Sequence, residues 1–482
     1  MITLNIDLTD IRRNLVAGDH QIEMGGGVFE PFKTKHLVTS ILSTPAVREV
    51  WVGEDDDPFS DTESPDGRAS STRSFEEFEG IRIQMSDDSA PKVEIVRTAA
   101  GTTPIYVSHS GSTLFASWRF EVAARAAGPA RPDIEACRIF LEHGKSQTRA
   151  QILQGVFMLW PGERATFDEK GLRFSVISDP EIVLSSALAD GARATDEFVR
   201  LIGTAMSRNL LRSSAPLIEV SGGMDSTCVA IAAAAIRSPL TSYGVIQPGA
   251  IGVQQRQRRR ELVNLLGLND YEGISWDPLP TLSLDFEECR VTPYDDLYRM
   301  ACLNTIKRNG LLDSDIVITG IGGDELTKEH TYHREEWEVG GFASSSSLVA
   351  AVSRADMFMR HGIWPVNPLL DMSVINFCRA LPRQMREGRL LNILTMTRSG
   401  LSDGFVSPRY VENFGPVLMM EAIELDYDAQ FETSIIGDYG IADVYAALAE
   451  VRDATKDGVT KRMVGKMYNM LKLERTLRSY VT

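Results

Sequence analysis

Apolar and polar positions follow two different rhythms along this chain. Up to about residue 180, short apolar runs alternate with polar residues at the period of half-buried strands. Val93–Val96, Ile105–Ser108 and Leu114–Trp118 are rich in β-branched and aromatic residues and are punctuated by Gly101, Gly111 and Ser/Thr. A second strand pair is expected at Gly155–Trp160 and Leu172–Ile177, joined by the turn Pro161–Glu163. Between these groups Asp133–Glu142 has helical spacing. The stretch Glu54–Arg73 is acidic and rich in Ser, Pro and Gly, too poor in apolar residues to order itself. It is expected to be a mobile surface loop.

From about Pro180 the texture changes. Leu188–Leu211 reads as a long amphipathic helix, followed by the apolar strand Pro216–Val220, a Gly-rich turn and the Ala-rich helix Thr227–Ile236. A strand at Ser242–Gln247 leads to a helix at Gln254–Leu266, stopped by Gly267. Another strand, Asp315–Thr319, enters a second Gly-rich turn, and Ser345–Thr482 reads as mainly helical. Strand–turn–helix units in series predict an α/β parallel sheet with ligands at the carboxyl ends of its strands. The chain is thus expected to divide into a β-rich domain, 1–180, and a larger α/β domain, 181–482.

Composition narrows the function classes. The 482 residues carry 50 Lys+Arg against 66 Asp+Glu, a net charge of −16, and 43% are hydrophobic. That is globular composition, and its acidity argues against nucleic acid as a partner. The five cysteines are widely spaced and never in C-x-x-C. They predict neither a disulfide framework nor a zinc site, but small buried hydrophobes in a reducing compartment. No signal peptide and no apolar run long enough to span a bilayer is read, so a cytoplasmic protein is expected.

The candidate chemistry lies in the two Gly-rich turns. Ser221-Gly222-Gly223-Met224-Asp225-Ser226 follows one strand and opens one helix. Two glycines permit a tight backbone that presents N–H groups, Ser221 and Ser226 add hydroxyls, and the helix contributes its positive end. This is a nest for a pyrophosphate-sized anion. Asp225 cannot itself favour an anion, so a bridging Mg²⁺ is the expected reason for it. Thr319-Gly320-Ile321-Gly322-Gly323-Asp324-Glu325-Leu326 again follows an apolar strand. Neighbouring strand ends would bring Asp225 and Asp324 onto one metal.

S-G-G-x-D-S followed by T-G-x-G-G-D-E-L resembles the asparagine synthetase superfamily of ATP pyrophosphatases. The resemblance implies cleavage of ATP between the α and β phosphates, an acyl-adenylate, and capture of that adenylate by an amine. Asp225 and Asp324 match the family's Mg²⁺ ligands; Ser221, Gly222, Gly223 and Ser226 match its pyrophosphate loop. Thr319 and Gly320, with Gly322, match a segment beside the nucleotide. Val96-Arg97 into Gly101-Thr102-Thr103-Pro104-Ile105-Tyr106, then Phe115-Ala116-Ser117, looks like the family's glutaminase-type domain. That implies an α+β, Ntn-hydrolase-like fold for the first 180 residues. Gly362-Ile363 … Pro368-Leu369-Leu370-Asp371 and Leu473-Glu474-Arg475-Thr476-Leu477-Arg478 look like later segments of the synthetase part.

Departures from the pattern choose among its branches. Position 2 is Ile2 and the first cysteine is Cys137, so no glutaminase nucleophile is present and the first domain is expected to be a scaffold. β-Lactam and carbapenam synthetases place a Tyr in the G-x-G turn, where this chain has Ile321. The family's R-x-K reads Arg409-Tyr410-Val411, and its G-I-E-V-R-V-P reads Gly362-Ile363-Trp364-Pro365-Val366-Asn367-Pro368. What remains resembles the lasso peptide cyclases. These adenylate an Asp or Glu side chain of a precursor peptide, released by a leader peptidase of the same pathway, and close a macrolactam on its new amine. Apolar surface at Trp364-Pro365 would suit a folded peptide. The rival expectations are a small-molecule synthetase, an ammonia-using asparagine synthetase relative, and a non-catalytic nucleotide binder.

Weaker features complete the reading. His330, His333 and His361 follow the second loop, and His330 is a candidate acceptor of the amine proton. Tyr294 and Asp295 resemble the family's P-x-Y-D region and, with Glu325 and Trp364, are candidate substrate-side residues. Arg256-Gln257-Arg258-Arg259-Arg260 could meet phosphates or an acidic leader peptide, but a solvated helix face is the expected reading. Gly144-Lys145-Ser146 lacks the first glycine of a P-loop, whose place holds Ile139, and is discounted.

Overall fold

The computed structural model describes residues 1–11, 15–17, 22–24, 27–43, 47–54, 79–86, 90–144, 148–177, 193–274, 299–323, 326, 345–410, 412, 427–457 and 461–481. Two antiparallel sheets come first. One runs in the order Phe157–Met158, Tyr106–Ser110, Thr113–Ser117, Ile2–Asp7, Gly27–Pro31, Ile22–Met24, Leu15–Ala17. The other runs Gly171–Val176, Glu163–Asp168, Lys92–Arg97, Gly80–Ser86, Val47–Gly53, Val38–Ser43. Alternation decides which face is inside: Ile2, Leu4 and Ile6 are buried while Asn5 between them is exposed. Leu4, Ile6 and Leu114 from one sheet share a core with Ile81, Ile83 and Ile95 from the other.

One expected pairing does not form. Phe157–Met158 pairs with Tyr106–Ser110, and Gly171–Val176 pairs with Glu163–Asp168 rather than with 155–160. The segment Glu163–Asp168 is itself a strand, alternating with Ala165 and Phe167 inward. Its hairpin closes at Glu169-Lys170, where Asp168 Oδ1 accepts from the Lys170 N–H at 2.8 Å. Such an Asx turn is as good a turn signal as the Pro-Gly pair that draws attention first.

The third sheet is parallel and carries the α/β character expected of the later chain. Its strands are β1 (Pro216–Glu219), β2 (Thr241–Ile246), β3 (Asn269–Ile274), β4 (Ile316–Ile318) and β5 (Trp364–Val366), in the order β3-β2-β1-β4-β5. Helices α1 (Met224–Ile236), α2 (Gly249–Leu266), α3 (Arg299–Arg308) and α4 (Ser345–Met359) connect them. The strands read as apolar runs because both faces are covered. Ile218, Ile316 and Ile318 face the large core, whereas Leu217 and Val317 face a second cluster containing Ala301, Cys302, Met357 and Phe358. The chain steps outward from β1 to β2 and β3, then returns to β4 on the other flank. The sheet therefore reverses direction between β1 and β4, and loops leaving these two strands diverge over a crevice.

Three expectations about helices change. The helix expected over Leu188–Leu211 is described as Ala194–Arg212, its first part lying outside the described residues. Helix α1 begins at Met224, three residues before the expected Thr227, so Asp225 and Ser226 belong to its first turn. Helix α2 is not a solvated cationic face. Gln255, Arg258, Arg259 and Leu262 are buried while Arg260 is exposed. Their spacing of three and four residues defines one face of the helix, and that face meets the sheet.

Glu54, the first residue of the acidic stretch, is held inside the protein; residues 55–78 lie outside the described set. Its Oε1 accepts from the Trp364 indole N–H at 2.7 Å and from Asn209 Nδ2 at 3.0 Å. Cys137, Cys228, Cys302 and Cys378 are buried free thiols, and Cys289 is outside the described residues. No described helix is long and apolar enough to cross a membrane.

Candidate active site

The two glycine-rich turns come together where the sheet reverses. Strands β1 and β4 are hydrogen-bonded neighbours, with Leu217 opposite Val317 and Ile218 opposite Ile318. Beyond them the loop backbones touch. A methyl group at Gly320 would stand 2.6 Å from the Ser226 nitrogen, and one at Gly323 would stand 2.3 Å from Asp225 Cγ. Only a residue without a side chain allows that approach.

The first loop is shaped by its own hydroxyls. Gly222 takes φ +87°, which turns the chain into α1. Ser221 Oγ accepts from the Gly223 N–H at 3.0 Å and lies 3.1 Å from Ser226 Oγ. Thr227 Oγ1 donates to Gly223 O at 2.6 Å, closing the first turn. Asp225 sits in that turn, where the helix dipole favours a negative charge.

Asp225 is not free for a cation in this arrangement. Its Oδ2 accepts from Arg389 Nη2 at 2.6 Å and its Oδ1 from Asn392 Nδ2 at 2.9 Å. Arg389 precedes helix α5 (Leu390–Arg398) and has φ +62°, the one positive φ of a non-glycine residue among those described. That backbone costs about 1–2 kcal/mol, and the ion pair helps to hold it. Arg389 and Asn392 are three residues apart at the start of α5, so both reach the same carboxylate. Among the described residues no group of three His, Cys, Asp or Glu converges as a metal site. These residues do not by themselves fit Mg²⁺, and Asp324, the expected second ligand, lies outside the described set.

The second loop is braced from behind. Thr319 is buried, and its hydroxyl donates to Asn367 Oδ1 at 2.6 Å while accepting from the Ile321 N–H at 3.3 Å. Asn367 Nδ2 donates onward to Thr102 Oγ1 at 3.0 Å, and that hydroxyl donates to Glu79 Oε2 at 2.9 Å. Thr319 therefore positions the loop instead of presenting its hydroxyl to a ligand. Gly322 lies against Leu370, from the segment after β5.

The structure thus gathers Ser221, Gly222, Gly223, Asp225, Ser226, Thr319, Gly320 and Gly322. Asp324, Glu325, His330, His333, Tyr294 and Asp295 lie outside the described residues. His361 sits in the turn before β5, at the opposite end of the sheet from the loops; its N–H donates to Phe358 O. Trp364 corrects the sequence reading. It is fully buried, at the amino end of β5, and its indole N–H goes to Glu54 while its ring lies 5.9 Å from that of Phe32. It joins two parts of the chain and offers no surface to a peptide.

Arg389, Asn392, Asn367 and Glu412 are site residues that the sequence reading missed, and Arg258 is one that it set aside as a solvated face. Nearby, the Gln254 amide exchanges hydrogen bonds with the Tyr410 backbone, Nε2 to Tyr410 O at 2.7 Å and Tyr410 N to Oε1 at 2.9 Å. The signal for Arg258 was present, since 255, 258, 259 and 262 share a helix face. The charges on four of the five residues Arg256–Arg260 drew attention away from it.

No protein-family model matches the chain, and no curated protein matches it. Solved structures similar to it include an NMN synthetase from Francisella tularensis, at 13% identity and a TM-score of 0.27, over 60% of this chain and 97% of that one. A U34-tRNA thiolase from Methanococcus maripaludis aligns at 15% identity and a TM-score of 0.29, over 53% of this chain and 80% of its own. A glutamine phosphoribosylpyrophosphate amidotransferase from B. subtilis aligns at 9% identity and a TM-score of 0.20, over 58% and 76%. Likenesses this slight carry no part of the reading that follows.

Proposed function

We propose that this chain is an ATP-dependent, AMP-forming amide ligase that closes a macrolactam in a precursor peptide. The observation behind the proposal is the contact of two glycine-rich loops, Gly320 on Ser226 and Gly323 on Asp225, at the reversal of a parallel sheet. Such a crevice is where open α/β sheets take their ligands. The first loop and the amino end of α1 would hold the pyrophosphate portion of ATP. Arg389, fixed by Asp225, adds a positive charge beside it. The substrate carboxylate attacks the α phosphorus, pyrophosphate leaves, and an amine displaces AMP from the acyl-adenylate. Holding acid and amine together in a dry crevice supplies much of the acceleration.

The finer assignments belong to the same proposal. Residues 1–180 are an Ntn-hydrolase-like scaffold without a glutaminase nucleophile, and 181–482 are the synthetase part. Mg²⁺ would arrive on the phosphates of the nucleotide, with Asp324 as the remaining candidate protein ligand, since both oxygens of Asp225 are taken by Arg389 and Asn392. The partners are a precursor peptide and the leader peptidase of its pathway, in the cytoplasm. The test is to incubate the protein with ATP, Mg²⁺ and candidate substrates and to separate the nucleotides. AMP formed only with a leader-processed peptide, alongside a peptide product lighter by one water, supports the cyclase. AMP formed with a small amino acid supports a small-molecule synthetase, and no AMP with any substrate removes the ligase reading.

A further inference from the structure

Above the first loop sits a pair of charges that the amide-forming chemistry has not yet used. Arg258 is 5% exposed, and its Nη1 is 3.7 Å from Glu412 Oε1. Among the described residues Arg258 Nε and Nη2 and Glu412 Oε1 find no hydrogen-bond partner. The guanidinium lies over the Phe405 ring, 4.6 Å from its centre. Burial pulls Arg258 below its ordinary pKa and pushes the Glu412 carboxyl above its own. Each charge is therefore kept at a cost that the long contact between them only partly offsets.

The pair belongs to the loop by position. A methyl group at Gly222 would lie 3.8 Å from Arg258 Cβ, and one at Gly223 would lie 4.0 Å from Glu412 Oε2. The Glu412 carboxylate thus stands between the entrance to α1 and the Arg258 guanidinium, where both favour an anion. Arg259 next door is different, because its Nη2 donates to Asp270 and to Tyr271 O beneath the loop. A buried cation with unused N–H groups, beside a carboxylate that is hydrogen-bonded to the Gln255 side chain but leaves Oε1 unpaired, describes a site built for a stronger anion.

We propose that Arg258 is a phosphate-binding residue of the first loop and that Glu412 holds its place until the pyrophosphate portion of a nucleotide displaces it. The proposal rests on the ATP reading above. Pyrophosphate, with several charged oxygens, can satisfy Arg258 and the N–H groups at the start of α1 together, which one carboxylate does not. Removing Glu412's charge then helps binding, and removing Arg258's harms it. A merely structural ion pair would behave otherwise, with both substitutions weakening the fold and neither strengthening binding.

The test is titration calorimetry of inorganic pyrophosphate, with ATP in parallel, on the full chain and on Arg258→Gln and Glu412→Gln. Thermal unfolding of each variant accompanies it. Arg258→Gln should weaken pyrophosphate roughly tenfold or more, and Glu412→Gln should tighten it by about threefold or more. Should Arg258→Gln not fold, Arg258→Lys supplies the same comparison with the charge kept and the fork lost. Unchanged or weaker binding in Glu412→Gln overturns the displacement, and unchanged binding in a folded Arg258→Gln overturns the phosphate role. Failure of the unmodified protein to bind either ATP or pyrophosphate removes the ATP reading itself, an outcome distinct from these.

Discussion

Two clusters of buried charge in this molecule are built in opposite ways. Under the antiparallel sheets, Glu79 is 6% exposed and accepts from the backbone N–H and hydroxyl of both Thr102 and Thr103. Arg97 beside it gives Nη1 to Leu159 O at 2.7 Å and Nη2 to Thr103 O, leaving Nε alone without a partner among the described residues. Above the first loop, Arg258 and Glu412 face each other at 3.7 Å with donors and an acceptor to spare. An unpaired buried polar group costs about 1–3 kcal/mol. The first cluster keeps one unused donor, Arg97 Nε, and serves to tie Thr102, Asn367 and Thr319 together behind the second loop. The second retains donors and an acceptor where the strand ends open. Completeness of hydrogen bonding, more than charge or burial, separates a brace from a site.

The contrast breaks most decisively at Asp225. Asp225→Ala should lower AMP formation by at least about a thousandfold, some 4 kcal/mol of barrier, because Arg389 and Asn392 lose the carboxylate that places them. Turnover within threefold of the unmodified protein would take the first loop out of the account. On the closed side, Glu54 is partly buried and its carboxyl is pushed up to about 7, chiefly by burial. A folded-state pKa above the unfolded value means the stability it lends is full below about pH 4.5 and lost as pH rises through 7. The loss is about 3 kcal/mol at roughly 1.4 kcal/mol per factor of ten in proton affinity. Glu54→Gln keeps an oxygen for Trp364 and Asn209 and should flatten that decline in thermal melts between pH 5 and 8. An equal decline in both proteins would place the titrating group elsewhere.

A smaller effect is expected at Glu79. Glu79→Gln points an amide N–H₂ at donors of Thr102 or Thr103 and should cost about 2 kcal/mol of stability, with ATP affinity within about twofold while the protein is folded. A large loss of affinity with unchanged melting would show that this cluster belongs to the site after all. The smallest effect is a null one. Burial pushes the Cys137 thiol up to about 12, and Cys228 and Cys378 also titrate far above an ordinary thiol. Ellman's reagent should therefore modify at most one thiol promptly in the folded protein, and rapid reaction of several would contradict their burial.

Much of this arrangement was legible in the sequence. The apolar runs Pro216–Val220 and Asp315–Thr319, each followed by glycines, located the two strand ends, because a buried parallel strand and a tight turn leave local marks. The partner of Gly171–Val176 was misread because two turn signals competed and only tertiary packing chose between them. Trp364 was assigned to a surface because an aromatic beside proline says nothing of which face it will find. Arg258 and Arg259 were read as solvated because charge normally marks the outside. Their helical spacing with Gln255 and Leu262 carried the contrary message. Asp225's partners Arg389 and Asn392 are 164 and 167 residues away in sequence, a separation at which no local pattern operates.

The account depends most on two loops making one anion site, and Gly320 is where that can be measured. A methyl group there must push aside the Ser226 backbone at the start of α1. Calorimetric titration of ATP into the unmodified chain and into Gly320→Ala, with circular dichroism to verify folding, reads the consequence directly. The unmodified protein should bind one ATP per chain, and Gly320→Ala should bind it at least about tenfold more weakly, as expected for a displaced phosphate loop. Equal affinity in the two folded proteins, or no binding in either, would contradict the account.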